Sequence, residues 1–281
     1  MTLDYTQEGK VVIDMRDYVN KDMLQEFPQQ QLTDPEASPA NENLFKINDH
    51  SPKLSETQKN DFHTMVAKGL FLCKRARQEI QTAIAFLCTR VQEPTQEDWN
   101  KLRRMMRYLR GSKDEVLTLE CGASREIKWH VDAAFAVHKD FRSHSGATMS
   151  MGKGSIMAFS TKQKLNTRSS TEAELVAMDD AMSPILWSRN FLEAQGFKNL
   201  KTTVFQDNKS TMLLEENGRQ SVGKRSRHLN IRYFFVTDVI KKGLIQVEYC
   251  PTGDMIADCF TKPLQGSLFK KLKRLVQNQD N

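Results

Sequence analysis

The stretch IKWHVDAAFAVHKDFRSHSGATMSMGKGSIMAFST, residues 127–161, decides the fold. Ile127, Trp129 and Val131 alternate with polar residues, the period of a strand with one buried face, and the run ends in Asp132. Ser145–Met151 and Ser155–Thr161 read as two further strands, with Gly152-Lys153-Gly154 as the hairpin turn between them. Upstream, Val116–Leu119 is a short strand. Downstream, helices and strands alternate. A helix starts near Ser169. Ser183 as N-cap and Pro184 in the first turn suit a second helix, which Gly196 closes. Thr202–Gln206 reads as a strand ending at Asp207. Residues 209–216 and 228–241 read as helices, Leu244–Cys250 as a strand, 254–261 as a short helix and 267–276 as an amphipathic one. The order β-β-β-α-α-β-α-α-β-α-α predicts a mixed α/β domain of about 155 residues.

The chain ahead of this domain is different. Residues 1–27 hold a short alternating run, Val11–Met15, and a helix-like stretch, Tyr18–Phe27. Residues 28–60 contain Pro28, Pro35, Pro39 and Pro52 and few large apolar side chains, which predicts an extended linker lying on a surface. From Phe62 to Val91 apolar residues recur every three or four positions, the face of one long helix or of two consecutive ones, and Pro94 ends it. A helix over 96–110 follows, with Trp99, Leu102, Met106 and Leu109 on one face and Gly111 as its C-cap. Its other face carries Lys101, Arg103, Arg104, Arg107 and Arg110. That face reads as solvated surface or as contact to a nucleic-acid backbone.

Composition narrows the function classes. The 281 residues carry a net charge of +6, unevenly placed: residues 1–60 hold 6 basic and 11 acidic side chains, and residues 119–281 hold 24 and 17. A basic C-terminal region suits a polyanionic partner. No apolar run reaches the roughly 18 residues of a spanning helix, and the N-terminus lacks the pattern of a secretory signal. The five cysteines form no CxxC pair, which argues against a zinc ribbon or a secreted disulfide framework and fits a reducing compartment.

Four carboxylates hold special places in this sketch. Asp132 and Asp207 end strands, Glu174 lies in the first turns of the helix after the hairpin, and Asp258 lies on the short helix after the last strand. Clustered carboxylates repel unless they share hard cations, and a pair of Mg²⁺ ions so held suits phosphodiester hydrolysis. Glu172 stands three residues after Ser169, the spacing of a capping box. Glu174 is two residues further and about 200° round the helix. We therefore expect Glu172 to be the cap and Glu174 the ligand.

The strings VDAAFAVHKDFRSHSGATMSMG (131–152), AFSTKQKLNTRSSTEAELVAMDDA (158–181), VFQDNKST (204–211) and RSRHLNIRYFFVTDVIKKGLIQVEYCPTGDMIADCFTKPL (225–264) resemble the RNase H domain of Ty1/copia-type retrotransposon Pol polyproteins. The preceding AIAFLCTRVQEPTQEDWNKLRRMMRYLRGSKDEVL (83–117) is similar to the end of the same family's reverse transcriptase. The resemblance implies an RNase H-like mixed five-stranded sheet flanked by helices over 119–281. It implies a mostly helical thumb or connection remnant over 1–118, with the linker at about 28–60. The implied activity is Mg²⁺-dependent endonucleolytic cleavage of RNA in RNA–DNA hybrids, with two Mg²⁺ ions, or Mn²⁺ as a substitute. The family's four acidic ligands map onto Asp132, Glu174, Asp207 and Asp258. The implied partners are an RNA–DNA hybrid and the remainder of a Pol polyprotein or reverse transcriptase, with no membrane. The implied setting is intracellular, in the cytoplasm within a virus-like particle or in the nucleus. The alternative is an inactive relic that binds nucleic acid without cleaving it.

The chain departs from the family at several points. VDAAFAVH stands where an SDADWAGD-like string is usual, which removes the second acid and the Trp but keeps Asp132. LNTRSSTEAEL replaces a KTVALSSTEAEY-like lead-in. No YxDD string occurs, so no polymerase active site is expected in this chain.

His228, in RSRHLN, reads as a structural or solvated residue, or as a phosphate contact or proton shuttle beside the scissile bond. Lys224, Arg225, Arg227 and Arg232 form a basic cluster, solvated or in contact with a nucleic-acid backbone. Asn208 and Ser210 serve the turn and the helix cap, or bond to an RNA 2′-OH. Trp129 and Trp187 are expected in the core, and Lys262-Pro263-Leu264 at a helix end.

Overall fold

The computed structural model describes residues 1–122, 126–198, 200–217 and 227–279, without the side chains of 216–217 and 227–233. It divides into two compact units. The first comprises Met1–Cys121, Lys153–Ser155 and Lys262–Asn281, and the second comprises Gly122–Gly152 and Ile156–Thr261. Residues 262–279 thus group with the N-terminal part of the chain, whereas the sequence boundary at 118/119 assigns them to the second domain.

In the first unit, β1 (Thr2–Asp4) and β2 (Lys10–Asp14) pair antiparallel, and β2 pairs antiparallel with β3 (Leu117–Cys121). The helical pattern over 61–92 resolves into two helices, α1 (Glu56–Cys73) and α2 (Gln81–Cys88). Ser55 caps α1 in a reciprocal box with Gln58, and Thr95 does the same with Asp98 for α3 (Gln96–Gly111). Residues 28–60 differ from the expected surface linker. Leu32, Ala40 and the adjacent Leu44 and Phe45 are buried along the segment. The basic face of α3 holds it: Arg104 pairs with Glu36 at 2.9 Å, Arg107 with Glu36 at 3.6 Å, and Arg110 donates to the Leu32 carbonyl. Apolar anchors at 32, 40 and 44–45 in a polar segment leave no period to read, yet each excludes water from its place. Leaving Arg103 aside, the α3 cations meet carboxylates and carbonyls of their own unit rather than solvent alone.

The second unit is built on a five-stranded mixed sheet. Its strands are β4 (Glu126–Ala134), β5 (His144–Ser150), β7 (Met157–Lys162), β8 (Lys201–Gln206) and β9 (Gln246–Tyr249); Gly152–Lys153, expected as a turn, form a two-residue strand, β6, that belongs not to this sheet but to the four-stranded order β1-β2-β3-β6. The order of the five-stranded sheet is β7-β5-β4-β8-β9. β7-β5 and β5-β4 are antiparallel, and β4-β8 and β8-β9 are parallel. The mixed α/β architecture read from 127–161 and its surroundings is therefore present. The helices are α4 (Ser170–Ala194), α5 (Lys209–Asn217), α6 (Arg227–Lys241) and the single turn α7 (Asp258–Thr261). A last helix, α8 (Gly266–Gln277), belongs to the first unit and buries Phe269, Leu272 and Val276.

Two expectations about α4 are corrected. Residues 170–194 form one helix with Pro184 inside it, not two helices divided at Ser183. Proline removes the N–H that would bond to the carbonyl of residue 180. The helix nonetheless continues, because its apolar stripe on either side of the proline, Ala177, Ala181 and Ile185, packs in one core with Ile127, Trp129 and Val131 of β4. Trp129 is fully buried as expected, but Trp187 is 57% exposed and stacks on Phe191. Trp187 lies about 200° round the helix from Ile185, so it points away from the stripe that meets the sheet.

Candidate metal centre

Sheet register brings the first two carboxylates together. β4 and β8 are parallel, with Trp129 opposite Val204 and His130 opposite Phe205. Two steps further along the same register, Asp132 falls opposite Asp207, the residue directly after β8. Ser169 caps α4, accepting from the Glu172 N–H at 3.2 Å, and Glu172 returns a bond from the Arg168 N–H at 2.7 Å. Glu172 is thus occupied at the helix start. Glu174, 5% exposed, joins the aspartates instead. One carboxylate oxygen from each of Asp132, Glu174 and Asp207 lies within 4.8 Å of the others. Among the described residues this is the group of side chains whose geometry could hold a metal ion.

The donor set suits a hard divalent cation. All three donors are carboxylate oxygens, and Asp132 and Glu174 are buried. Mg²⁺ takes oxygen ligands and keeps several waters, so it needs few protein carboxylates. Three carboxylates this close repel one another in a partly desolvated site, and a cation offsets that repulsion.

The remaining expected site residues fall in different places. Asp258, the first residue of α7, is 3% exposed but lies outside the three-carboxylate group. One helical turn on, the side chain beside Asp132 is Thr261, whose hydroxyl donates to Asp132 Oδ2. Asn208 Oδ1 accepts from the Ser210 and Thr211 N–H groups at 3.1 and 3.2 Å, the geometry of a helix cap. Ser210 is exposed. Lys224 and Arg225 lie outside the described residues. Arg227, His228 and Arg232 fall on α6, but their side chains also lie outside the description.

Sequence reading missed the hydroxyl contacts around the carboxylates. Besides Thr261, Thr252 donates to Asp207 Oδ2 at 2.9 Å. Neither threonine carries a charge or a spacing that marks it. It also missed a buried histidine pair: His138 Nε2 lies 3.0 Å from His144 Nδ1, and His144 Nε2 lies 2.7 Å from Ser160 Oγ. Burial pushes His144 down to about 3, helped by His138 beside it, and pushes His138 down to about 4. His130, stacked on Phe205, is pushed by burial to about 4.

With this geometry in view, the relatives of the chain are informative. A retrovirus-related Pol polyprotein from transposon RE1 of Arabidopsis thaliana is 30% identical over 228 residues, covering 78% of this chain and 15% of that protein. The corresponding protein from transposon RE2 of the same plant is 29% identical over 202 residues, covering 71% of this chain and 14% of its own length. That from transposon TNT 1-94 of Nicotiana tabacum is 26% identical over 221 residues, covering 78% and 16%. The expected resemblance to retrotransposon Pol polyproteins is borne out, and the chain spans about a seventh of the length of these relatives. No family model matches the chain. Among solved structures, an N-terminal RNase H domain from Mycobacterium tuberculosis has a TM-score of 0.37 at 13% identity, covering 48% of this chain and 90% of that one. RNase H1 from Halobacterium salinarum has a TM-score of 0.33 at 14% identity, covering 48% and 93%.

Proposed function

We propose that the second unit is a Mg²⁺-dependent endonuclease that hydrolyses RNA in RNA–DNA hybrids, as the RNase H part of a Ty1/copia-type Pol polyprotein. The observation that carries this reading is the convergence of Asp132 from within β4, two residues short of its end, Asp207 from just after β8, and Glu174 from the first turns of α4. The similarity to transposon Pol polyproteins supports it. In this reading residues 1–118 derive from the end of a reverse transcriptase, and the partners are an RNA–DNA hybrid and the rest of Pol. The setting is intracellular.

The three carboxylates would hold two Mg²⁺ ions, with Mn²⁺ as a substitute. Such a pair, when bound, stabilises both the attacking and the leaving oxygens of a phosphodiester. The chain's own residues supply fixed negative charge in a partly buried site. Asp132 and Glu174 are held on rigid elements, a central strand and a capped helix, so their geometry does not await substrate. Asp258 lies near the end of the same unit as a further acid. In this reading Lys224, Arg225, Arg227 and Arg232 contact the backbone of the hybrid, Asn208 and Ser210 its sugar, and His228 moves a proton or contacts phosphate.

The test is the purified chain with a labelled RNA–DNA hybrid, in Mg²⁺ and in EDTA. Cleavage of the RNA strand in Mg²⁺ alone is the expected result. A second reading, a relic that binds hybrid without cleaving it, is favoured by the position of Asp258 outside the carboxylate group. Retention of hybrid with no cleavage in Mg²⁺ or Mn²⁺ would establish that reading instead.

A further inference from the structure

Two of the three carboxylates accept hydroxyls from a single short stretch of chain. Thr261 Oγ1 donates to Asp132 Oδ2, and both residues are buried, 0% and 1% exposed. Thr252, at the other end of the stretch and exposed, donates to Asp207 Oδ2 at 2.9 Å. A carboxylate turns about a broad, soft terminal torsion. Its packed neighbours set where the group sits, but a donor on one oxygen sets which way the other faces.

The approach of α7 is built into the sheet. Gly146 is the partner of Asp132 on β5. A Cβ placed there would stand 2.7 Å from Thr261 Cγ2 and 2.8 Å from the Phe260 carbonyl carbon. Only a residue without a side chain lets α7 lie this close to β5, and only at that closeness does the Thr261 hydroxyl reach Asp132. Both hydroxyls are neutral, so they orient the carboxylates without cancelling the charge that would attract a cation.

We propose that Thr261 and Thr252 are positioning residues that orient Asp132 and Asp207 for divalent-cation binding, with Gly146 as the gap that admits Thr261. This inference rests on the metal-centre reading above. Neither threonine is placed in contact with substrate, and their effect passes through the carboxylates. Groups that orient metal ligands in this way typically change metal affinity or activity by about 10–100-fold when removed.

The experiment measures Mn²⁺ binding to the full 281-residue chain without nucleic acid, by the loss of the free-ion paramagnetic resonance signal. Thr261→Val keeps the shape and removes the hydroxyl, and should weaken Mn²⁺ binding by about tenfold or more. Thr261→Ser restores the donor and should return affinity to near the wild-type value. Thr252→Val, at an exposed position that does not threaten the fold, should weaken binding by a smaller but measurable factor. In the cleavage assay, the Mg²⁺ concentration for half-maximal rate should rise in both valine variants. Wild-type affinity in a folded Thr261→Val chain, while Asp132→Asn loses binding, would overturn the proposal and leave the metal centre standing. Equal losses in the Ser and Val variants would also overturn it, because packing of the methyl would then be the cause. If Thr261→Val does not fold, Thr252→Val decides: unchanged affinity there overturns the proposal. A wild-type chain whose Mn²⁺ binding is absent, or insensitive to Asp132→Asn, would remove the metal centre and this inference together.

Discussion

The basic face of α3 and the acidic group of the second unit handle charge in opposite ways. On α3, cations meet carboxylates: Arg104 and Arg107 share Glu36, and Lys101 pairs with Glu97. In the second unit, Asp132, Glu174 and Asp207 gather like charges within 4.8 Å. Opposite charges brought together stabilise a segment against a helix, whereas like charges brought together raise the free energy of the protein alone. A bound cation would offset that repulsion, which is the arrangement the proposed function rests on. The contrast separates charges that are paired within the fold from charges gathered with their like, which composition by itself does not do.

The largest expected effect breaks the acidic side of this contrast. Asp132→Asn should lower hybrid cleavage by roughly 10²–10³-fold at least. It should leave the circular dichroism spectrum unchanged, and removing one of three like charges should hold or raise the melting temperature in EDTA. Cleavage at the wild-type rate would show that the group is not the catalytic site.

Next is the pair of glutamates on α4. Glu174→Gln should cost orders of magnitude in rate with little loss of stability. Glu172→Ala removes the acceptor of the Arg168 N–H and should cost about 0.5–2 kcal/mol of stability while sparing most activity. Melting and cleavage measured on both variants check the assignment, and exchanged outcomes would reverse the roles.

A third measurement concerns the buried histidines of the second unit. An unfolded histidine titrates near 6.5, and His144, His138 and His130 are held near 3, 4 and 4 in the fold. The unfolded chain therefore binds protons first as pH falls. This contribution to stability is fully present above about pH 6.5 and is lost as pH falls from there toward the folded values. Denaturant unfolding between pH 7 and pH 4 should show stability falling with acid, and His144→Gln should make that fall shallower. An unaltered pH slope in the variant would mean that other groups dominate acid unfolding.

The smallest effect tests the basic side. Glu36→Ala removes the carboxylate shared by Arg104 and Arg107. These pairs are partly exposed, so the loss should be roughly 0–1 kcal/mol, with cleavage unchanged. A large fall in cleavage would mean that the α3 face serves function as well as structure.

Several features were legible in the chain because their cause is local. The alternation at Ile127, Trp129 and Val131 and the Ser169–Glu172 cap each depend on residues a few positions apart. The same holds for the turn at Gly196, whose φ is +92°. Separating Glu172 from Glu174 also needed only the helical repeat. The burial of Leu32, Leu44 and Phe45 was not legible, because a lone leucine and one adjacent apolar pair in a proline-bearing stretch carry no period. Nor was the continuity of α4 through Pro184, where a proline that suits a helix start locally is overruled by packing on both sides.

By itself the sequence determined that the chain holds a mixed α/β sheet, where the five strands of that sheet and most helices lie, and that Asp207 and Asp258 stand at element ends; Asp132, read as ending its strand, lies two residues inside β4. Tertiary structure decided which of those acids meet. Asp132 and Asp207 converge because β4 and β8 are parallel neighbours in one register. Thr261 reaches Asp132 across 129 residues of sequence because a glycine on β5 leaves room for α7. Secondary-structure signals arise from torsions and contacts within a few residues, so they are written along the chain. Proximity between distant residues depends on strand order and on side-chain volume at the crossing points, and those exist only once the sheet has formed.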